Sequence, residues 1–165
     1  MSKMVDMDSP LITSDAAKEA LRALFDEEVL NHGSYNVVFA HDHAAGSELA
    51  GYLIGYRFSP LEMVIVPMRL SIDPDVMEFA TPVTNSTTIG VDLTNLVDLS
   101  DLSSSYRVSL STERVLLFEV SDHTLISWPV ATDEGRVLVE LNQADDADDF
   151  HVFMHQFFDR LDQYV

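Results

Sequence analysis

The 165-residue chain contains no cysteine. That absence excludes disulfides, thiolate zinc sites, iron–sulfur clusters and cysteine nucleophiles together. Bases are also scarce. Nine Lys and Arg stand against 28 Asp and Glu, for a formal net charge of −19. The only lysines are Lys3 and Lys18. So few positive charges argue against direct binding to a nucleic-acid backbone and against docking on an anionic membrane surface. No apolar run approaches the ~20 residues needed to span a bilayer. The stretch Met1–Pro10 holds Lys3, Asp6 and Asp8 and no long apolar core, so it does not read as a secretory signal.

Apolar residues make up 47% of the chain and charged residues 22%. The high net charge therefore reflects missing bases, not an excess of charge. Nine Phe, five Tyr and one Trp supply the bulk for a core. The length and the lack of a Pro-, Gly- or Ser-rich linker predict a single domain over 1–165, with a loose lead over 1–12. A cytoplasmic setting is expected. Four origins fit the acidity: solubility through mutual repulsion, a high-salt cytoplasm, a basic protein partner, or mimicry of nucleic acid. The acids are spread along the whole chain, which favours the first.

The pattern changes period along the chain. Thr13, Ser14 and Asp15 are competent N-caps for a helix over Ala16–Leu30. Ala17, Leu21, Leu24, Phe25 and Val29 form its apolar stripe, and Gly33 supplies a stop. Alternation then predicts strands over Tyr35–Phe39 and Tyr52–Phe58, separated by a turn over Asp42–Glu48. The continuous run Met63–Val66 predicts a strand covered on both faces, with Pro67 marking its end, a bulge or a sheet edge. Asp73-Pro74-Asp75 reads as a turn, Val76–Val83 as a short interrupted strand and Ile89–Leu93 as a further strand. Leu93, Leu96, Leu99 and Leu102 recur every third residue, as in a turn of helix or an irregular segment with its leucines inward. Strands over Tyr106–Leu110, Val115–Val120, Leu125–Val130 and Val137–Leu141, with short turns between them, predict a four-stranded antiparallel meander. Phe150, Phe153, Met154, Phe157, Phe158 and Leu161 then mark an amphipathic C-terminal helix. Asp145, Asp146, Asp148 and Asp149 gather where its dipole favours negative charge.

Few residues suggest chemistry. His41-Asp42-His43 places two imidazoles on one side of a strand end, and His151 and His155 lie one helical turn apart. If the pairs met, Asp148 and Asp159 would complete a nitrogen- and oxygen-rich metal site. On the polar side of their elements, the same histidines are simply solvated. Asp145–Asp149 lacks the alternating ligands, glycine and distal glutamate of a calcium loop. Gly46-Ser47, Gly51 and Gly55 form neither a phosphate cradle nor a nucleophile elbow. No pair among the acids is singled out for glycoside chemistry. Trp128, before Pro129, reads as a core or half-core aromatic. No catalytic, cofactor-binding or metal residue is assigned, and no cofactor is expected.

These elements predict an α+β fold: an antiparallel sheet of about seven strands with an amphipathic helix at each end. In element order alone, this resembles a pleckstrin-homology-like barrel, and also the open sheet and flanking helices of small acidic secretion chaperones. The expected function is a non-enzymatic binding or regulatory domain, recognising a protein, such as a basic one, through its acidic surface or a sheet edge. The alternatives are a small metal-assisted enzyme using the histidine pairs, and an acidic nucleic-acid mimic or inhibitor. No contact with nucleic acid or membrane is expected.

Overall fold

The computed structural model describes residues 13–29, 35–42, 49–69, 81–82, 88–102, 105–129 and 136–163. Within them the fold is α+β, with two helices and an antiparallel sheet that is nearly barrel-shaped. The strands are β1 (Asn36–Asp42), β2 (Leu49–Phe58), β3 (Leu61–Arg69), β4 (Thr81–Pro82), β5 (Ile89–Asp92), β6 (Leu96–Asp101), β7 (Tyr106–Leu110), β8 (Val115–Glu119), β9 (His123–Pro129) and β10 (Arg136–Asn142). Helix α1 spans Ser14–Glu28 and α2 spans Ala144–Gln163. The expected lead over 1–12, the stop at Gly33 and the turns at 43–48, 73–75 and 132–135 lie outside the described residues.

The large sheet runs β4-β3-β2-β1-β8-β7-β6, and β5 shares the outer edge of β3 with β4. It is therefore seven positions wide. Its two ends, β5 and β6, are joined by only three residues, Leu93–Asn95. So short a link forces the ends together and curls the sheet toward closure. Asn95 fastens the turn: its Oδ1 accepts from Asp92 N at 2.9 Å and its Nδ2 donates to Gly90 O at 2.7 Å. Its backbone carbonyl accepts from Ser111 N at 2.8 Å, tying this turn to the β7–β8 turn.

Alternation decides what each face carries. Val38 and Ala40 of β1, Tyr52, Ile54 and Tyr56 of β2, and Met63 and Ile65 of β3 face the barrel interior. Tyr35, Phe39, Leu53 and Val66 face outward, where Ala17, Leu21 and Phe25 of α1 and Leu141 of β10 cover them. The apolar run of β3 is thus covered on both faces, as its composition predicts. Pro67 is paired with Tyr52 of β2. On the other edge of β3 it falls between the segments paired to β5 (Glu62–Ile65) and to β4 (Met68–Arg69). A residue with no N–H is tolerated at such a break. Gly55 leaves the space into which the Phe25 ring inserts; a Cβ there would clash with the ring of Phe25.

Helix α1 begins where the caps predict, with Thr13 Oγ1 accepting from Ala16 N at 3.0 Å. Helix α2 fills the barrel. Phe150, Phe153, Met154 and Phe157 are fully buried, and Phe158 and Leu161 pack beside them. Phe153 stands 5.0 Å from Tyr56 and 4.9 Å from Phe157 between ring centroids.

Two expectations need correction. The four-strand meander breaks between β8 and β9. Among the described residues β9 and β10 pair only with each other, while the remaining edge of β8 is taken by β1, through His41↔Glu119 and Asp42↔Phe118. The leucine spacing of three is not a helical turn. Leu96 and Leu99 both point inward from strand β6 because the β6–β7 register shifts between Leu96 and Asp98. The extra residue of that bulge converts a spacing of two into three.

Candidate functional site

The end of α2 beside β6 is the part of the molecule where a sheet edge, an open cleft and exposed apolar side chains coincide. β6 ends the strand path, so among the described residues no strand pairs with its second edge. The register defines what that edge offers. Leu102 N donates to Ser105 O at 2.8 Å, which makes 102/105 a hydrogen-bonded pair. By the alternation of an antiparallel ladder, 100/107 and 98/109 are the next such pairs. The backbone N–H and C=O of Leu99 then point away from β7.

The cleft itself has a volume of about 420 Å³ and is lined by Asp101 from β6 and by His155, Phe158 and Asp159 from α2. His155 Nε2 stands 3.9 Å from Asp101 Oδ2 across it. Phe158 is half-buried, with its ring 6.2 Å from that of His155. Four large apolar side chains are exposed among the described residues; Val97 (60% exposed) lies on β6, Leu102 (45%) directly follows it, and Val152 (53%) lies on α2. Val152, His155 and Asp159 share one side of α2 at i, i+3 and i+7. On the outer face of β6, Ser100 Oγ accepts from Arg107 Nη2 at 3.3 Å.

Buried polar contacts hold α2 against the barrel and so fix the cleft. Gln143, immediately before the helix, is the one buried polar side chain among the described residues. Its Oε1 accepts from Phe39 N at 3.1 Å, and its Nε2 donates to Phe39 O and to Ser121 O, each at 2.9 Å. Phe39 and Ser121 would pair two positions beyond His41↔Glu119 if the β1–β8 ladder continued. The side-chain amide therefore spans the ladder where the two strands part. The Tyr56 hydroxyl donates to Asp149 Oδ2 at 2.8 Å, and burial followed by that carboxylate drives its pKa well above the ordinary phenol range. Tyr106 Oη and His151 Nδ1 are joined at 2.6 Å. Burial and then the Asp101 charge push the Tyr106 phenol up to about 12.

Among the described residues, the histidines of the two pairs do not converge. His41 shares a 2.6 Å hydrogen bond with Thr124 Oγ1 and packs edge-on against Phe39, on the outer face of the sheet. His151 meets Tyr106 beside Phe150, on the barrel side. The sheet separates the two, and His43 lies outside the described residues. Among the described residues no group of three or more His, Asp or Glu side chains is placed to hold a metal ion. The acidic start of α2 is divided in use. Asp145 and Asp148 are solvent-facing, Asp146 Oδ2 pairs with Lys18 at 3.4 Å, and Asp149 accepts from Tyr56. Gly46 and Ser47 are outside the described residues, and Trp128 occupies a position on β9 opposite Val137.

Sequence reasoning does not single out Gln143, Leu99 or Phe158 as members of a site. A polar residue before a helix reads as a cap, and an inward leucine reads as core. The bulge behind the spacing of three is the one local signal that bears on β6. Among the described residues no helix is long and apolar enough to cross a membrane. Comparison with protein-family models, with curated proteins and with solved structures finds no match for the chain.

Proposed function

We propose that this chain is a non-enzymatic protein-interaction domain that receives an extended segment of a partner as an additional strand on β6. One observation carries the reading: among the described residues no strand takes the second edge of β6, and Asp101 at the end of that strand lines an open cleft with α2. Exposed strand edges are ordinarily short, charged, bulged or covered, because they template pairing with other chains. Here the bulge at Val97 blunts the start of β6, while Leu99 onward stays regular. Strand addition draws its affinity from main-chain hydrogen bonds and its selectivity from alternate side chains. The exposed Val97, Leu102 and Val152 supply apolar surface for such contacts.

The wider charge fits a soluble, cytoplasmic role, which the cysteine-free composition supports. Exposed acids lie on α1, β6 and α2 alike, as at Asp15, Glu19, Asp98, Asp145 and Asp159. That spread supports dispersal in solution over imitation of nucleic acid by a single face. The test is backbone-specific. A short peptide alternating arginine and valine should slow amide exchange along β6, and the same peptide N-methylated at alternate amides should not. Equal effects from both peptides would mean that contact is made through side chains only and would reject strand addition.

A further inference from the structure

We infer that a second cleft, between the β2–β3 turn, the β5–β6 turn and the last turns of α2, binds a small zwitterion. The ligand is an α-amino acid with a large apolar side chain, its carboxylate on Arg160, its ammonium on Asp92 and its side chain over Phe58 and Leu93. The site is separate from the β6 edge and does not depend on strand addition.

The cleft has a volume of about 360 Å³, at the small end for ligand sites. Its apolar side is backed by the core. Phe58 and Leu93 are half-buried and pack against the barrel interior, beside the buried Leu61. The Phe58 ring stands edge-on to Phe153 of α2, 5.6 Å between centroids. An apolar side chain laid on this surface is removed from water without any rearrangement of the core.

Three charged side chains line the cleft: Glu62, Asp92 and Arg160. Glu62 is already engaged. Its Oε2 accepts from Tyr35 Oη at 2.8 Å and from Arg57 Nε at 2.7 Å, and the Arg57 guanidinium offsets its charge. Asp92 is held by neutral donors, its Oδ1 accepting from the Thr94 hydroxyl and from Thr94 N at 2.8 Å. The Thr94 hydroxyl, with the Thr94 and Asn95 N–H groups, keeps the Asp92 carboxyl below its ordinary pKa, so it stays ionised. Arg160 is exposed in the last turn of α2, where the helix dipole favours a cation. Among the described residues it makes no ion pair, unlike Lys18 with Asp146 and Arg57 with Glu62. Asp159 and Asp162, one and two positions away on the helix, do not face it, and Asp159 lines the cleft beside β6. One cation and one anion are left to read the two ends of a zwitterion. A simple anion would meet Asp92 as well, and a simple cation would meet Arg160.

The experiment is a chemical-shift titration of the isotope-labelled full chain at physiological salt. The probes are phenylalanine, phenylalaninamide, which lacks the carboxylate, and N-acetylphenylalanine, which lacks the ammonium. Phenylalanine should give saturable shifts at the amides of Phe58, Asp92, Leu93 and Thr94, with a Kd on the order of 1 mM. Each derivative should bind at least about tenfold more weakly. Arg160→Gln should weaken phenylalanine binding about fivefold and leave phenylalaninamide unchanged. Asp92→Asn, which keeps the acceptor for Thr94, should weaken phenylalanine binding about as much. Lys18→Gln, which removes a like charge from α1, should leave phenylalanine binding unchanged. If phenylalaninamide binds as tightly as phenylalanine, the attraction is that of the net charge of −19 and the inference fails. If Lys18→Gln weakens binding as much as Arg160→Gln, it fails equally. The absence of saturable shifts at the four amides would overturn the site outright, and none of these outcomes bears on β6.

Discussion

Replacing Gln143 by alanine removes three hydrogen bonds made by one buried side chain. Phe39 N–H and C=O both lose their partner, and Ser121 C=O loses one. Phe39 faces Leu53 of β2 in the register, and its main-chain groups are turned toward Gln143, so β2 does not take them over. A buried polar group left unsatisfied costs about 1–3 kcal/mol. Phe39 is buried, so its two groups bear most of the loss, whereas half-buried Ser121 gains access to water. The expected destabilisation is about 3 kcal/mol. For a chain of this size, that corresponds to a melting temperature lower by roughly 6–12 °C. Urea and thermal unfolding followed by circular dichroism measure it. Gln143→Glu sharpens the test, because one carboxylate oxygen still accepts from Phe39 N while the other faces two carbonyl oxygens. The variant's folded carboxyl pKa is then raised above the ordinary ~4.3, so its stability relative to wild type falls as pH rises from about 4 toward 7. A Gln143→Ala variant within ~0.5 kcal/mol of wild type would show that the amide does not hold α2 to β1, and the reasoning would fail.

Gly55→Ala should destabilise the fold by about 1–3 kcal/mol, because the new methyl meets the Phe25 ring; in a Phe25→Leu background that cost should shrink, and a double-mutant cycle with no coupling would refute the contact. The buried phenols predict alkaline sensitivity. Tyr52 and Tyr106 are pushed up to about 12, chiefly by burial, and Tyr56 is raised further. Raised folded-state values mean stability that is complete below the ordinary phenol pKa of about 10 and lost as pH climbs from there toward 12. Tyrosinate absorbance should therefore appear for these residues together with unfolding, and their titration with the fold intact would contradict it. The melting temperature should rise as sodium chloride goes from low to about molar concentration. Screening relieves the self-repulsion of −19 over a Debye length that shrinks from ~10 Å at 0.1 M to ~3 Å at 1 M. A steady fall would mean that ion pairs such as Lys18–Asp146 and Arg57–Glu62 outweigh repulsion.

The helices and most strands are legible because their faces are written in local periodicity. The stripe from Phe150 to Leu161 buries as its spacing predicts, and the run Met63–Val66 is apolar because both of its faces are covered. What local pattern cannot decide is which strand becomes whose neighbour. The turn at Asp122 looks like a hairpin, yet β8 pairs onward with β1, more than 70 residues earlier in the chain. The edge status of β6 depends on the same long-range choices. So does Gln143, whose partner Phe39 lies 104 residues away. The histidine pairs carry plausible ligand spacing, but facing is a property of the sheet between them.

The most direct test of strand addition is an isotope-edited nuclear Overhauser experiment on the labelled chain with the unlabelled arginine–valine peptide. Cross-strand contacts between peptide backbone protons and those of Leu99 and Ser100, spaced as in a regular ladder, are the predicted result. Peptide contacts confined to α1, or to side chains with no backbone ladder on β6, would contradict it.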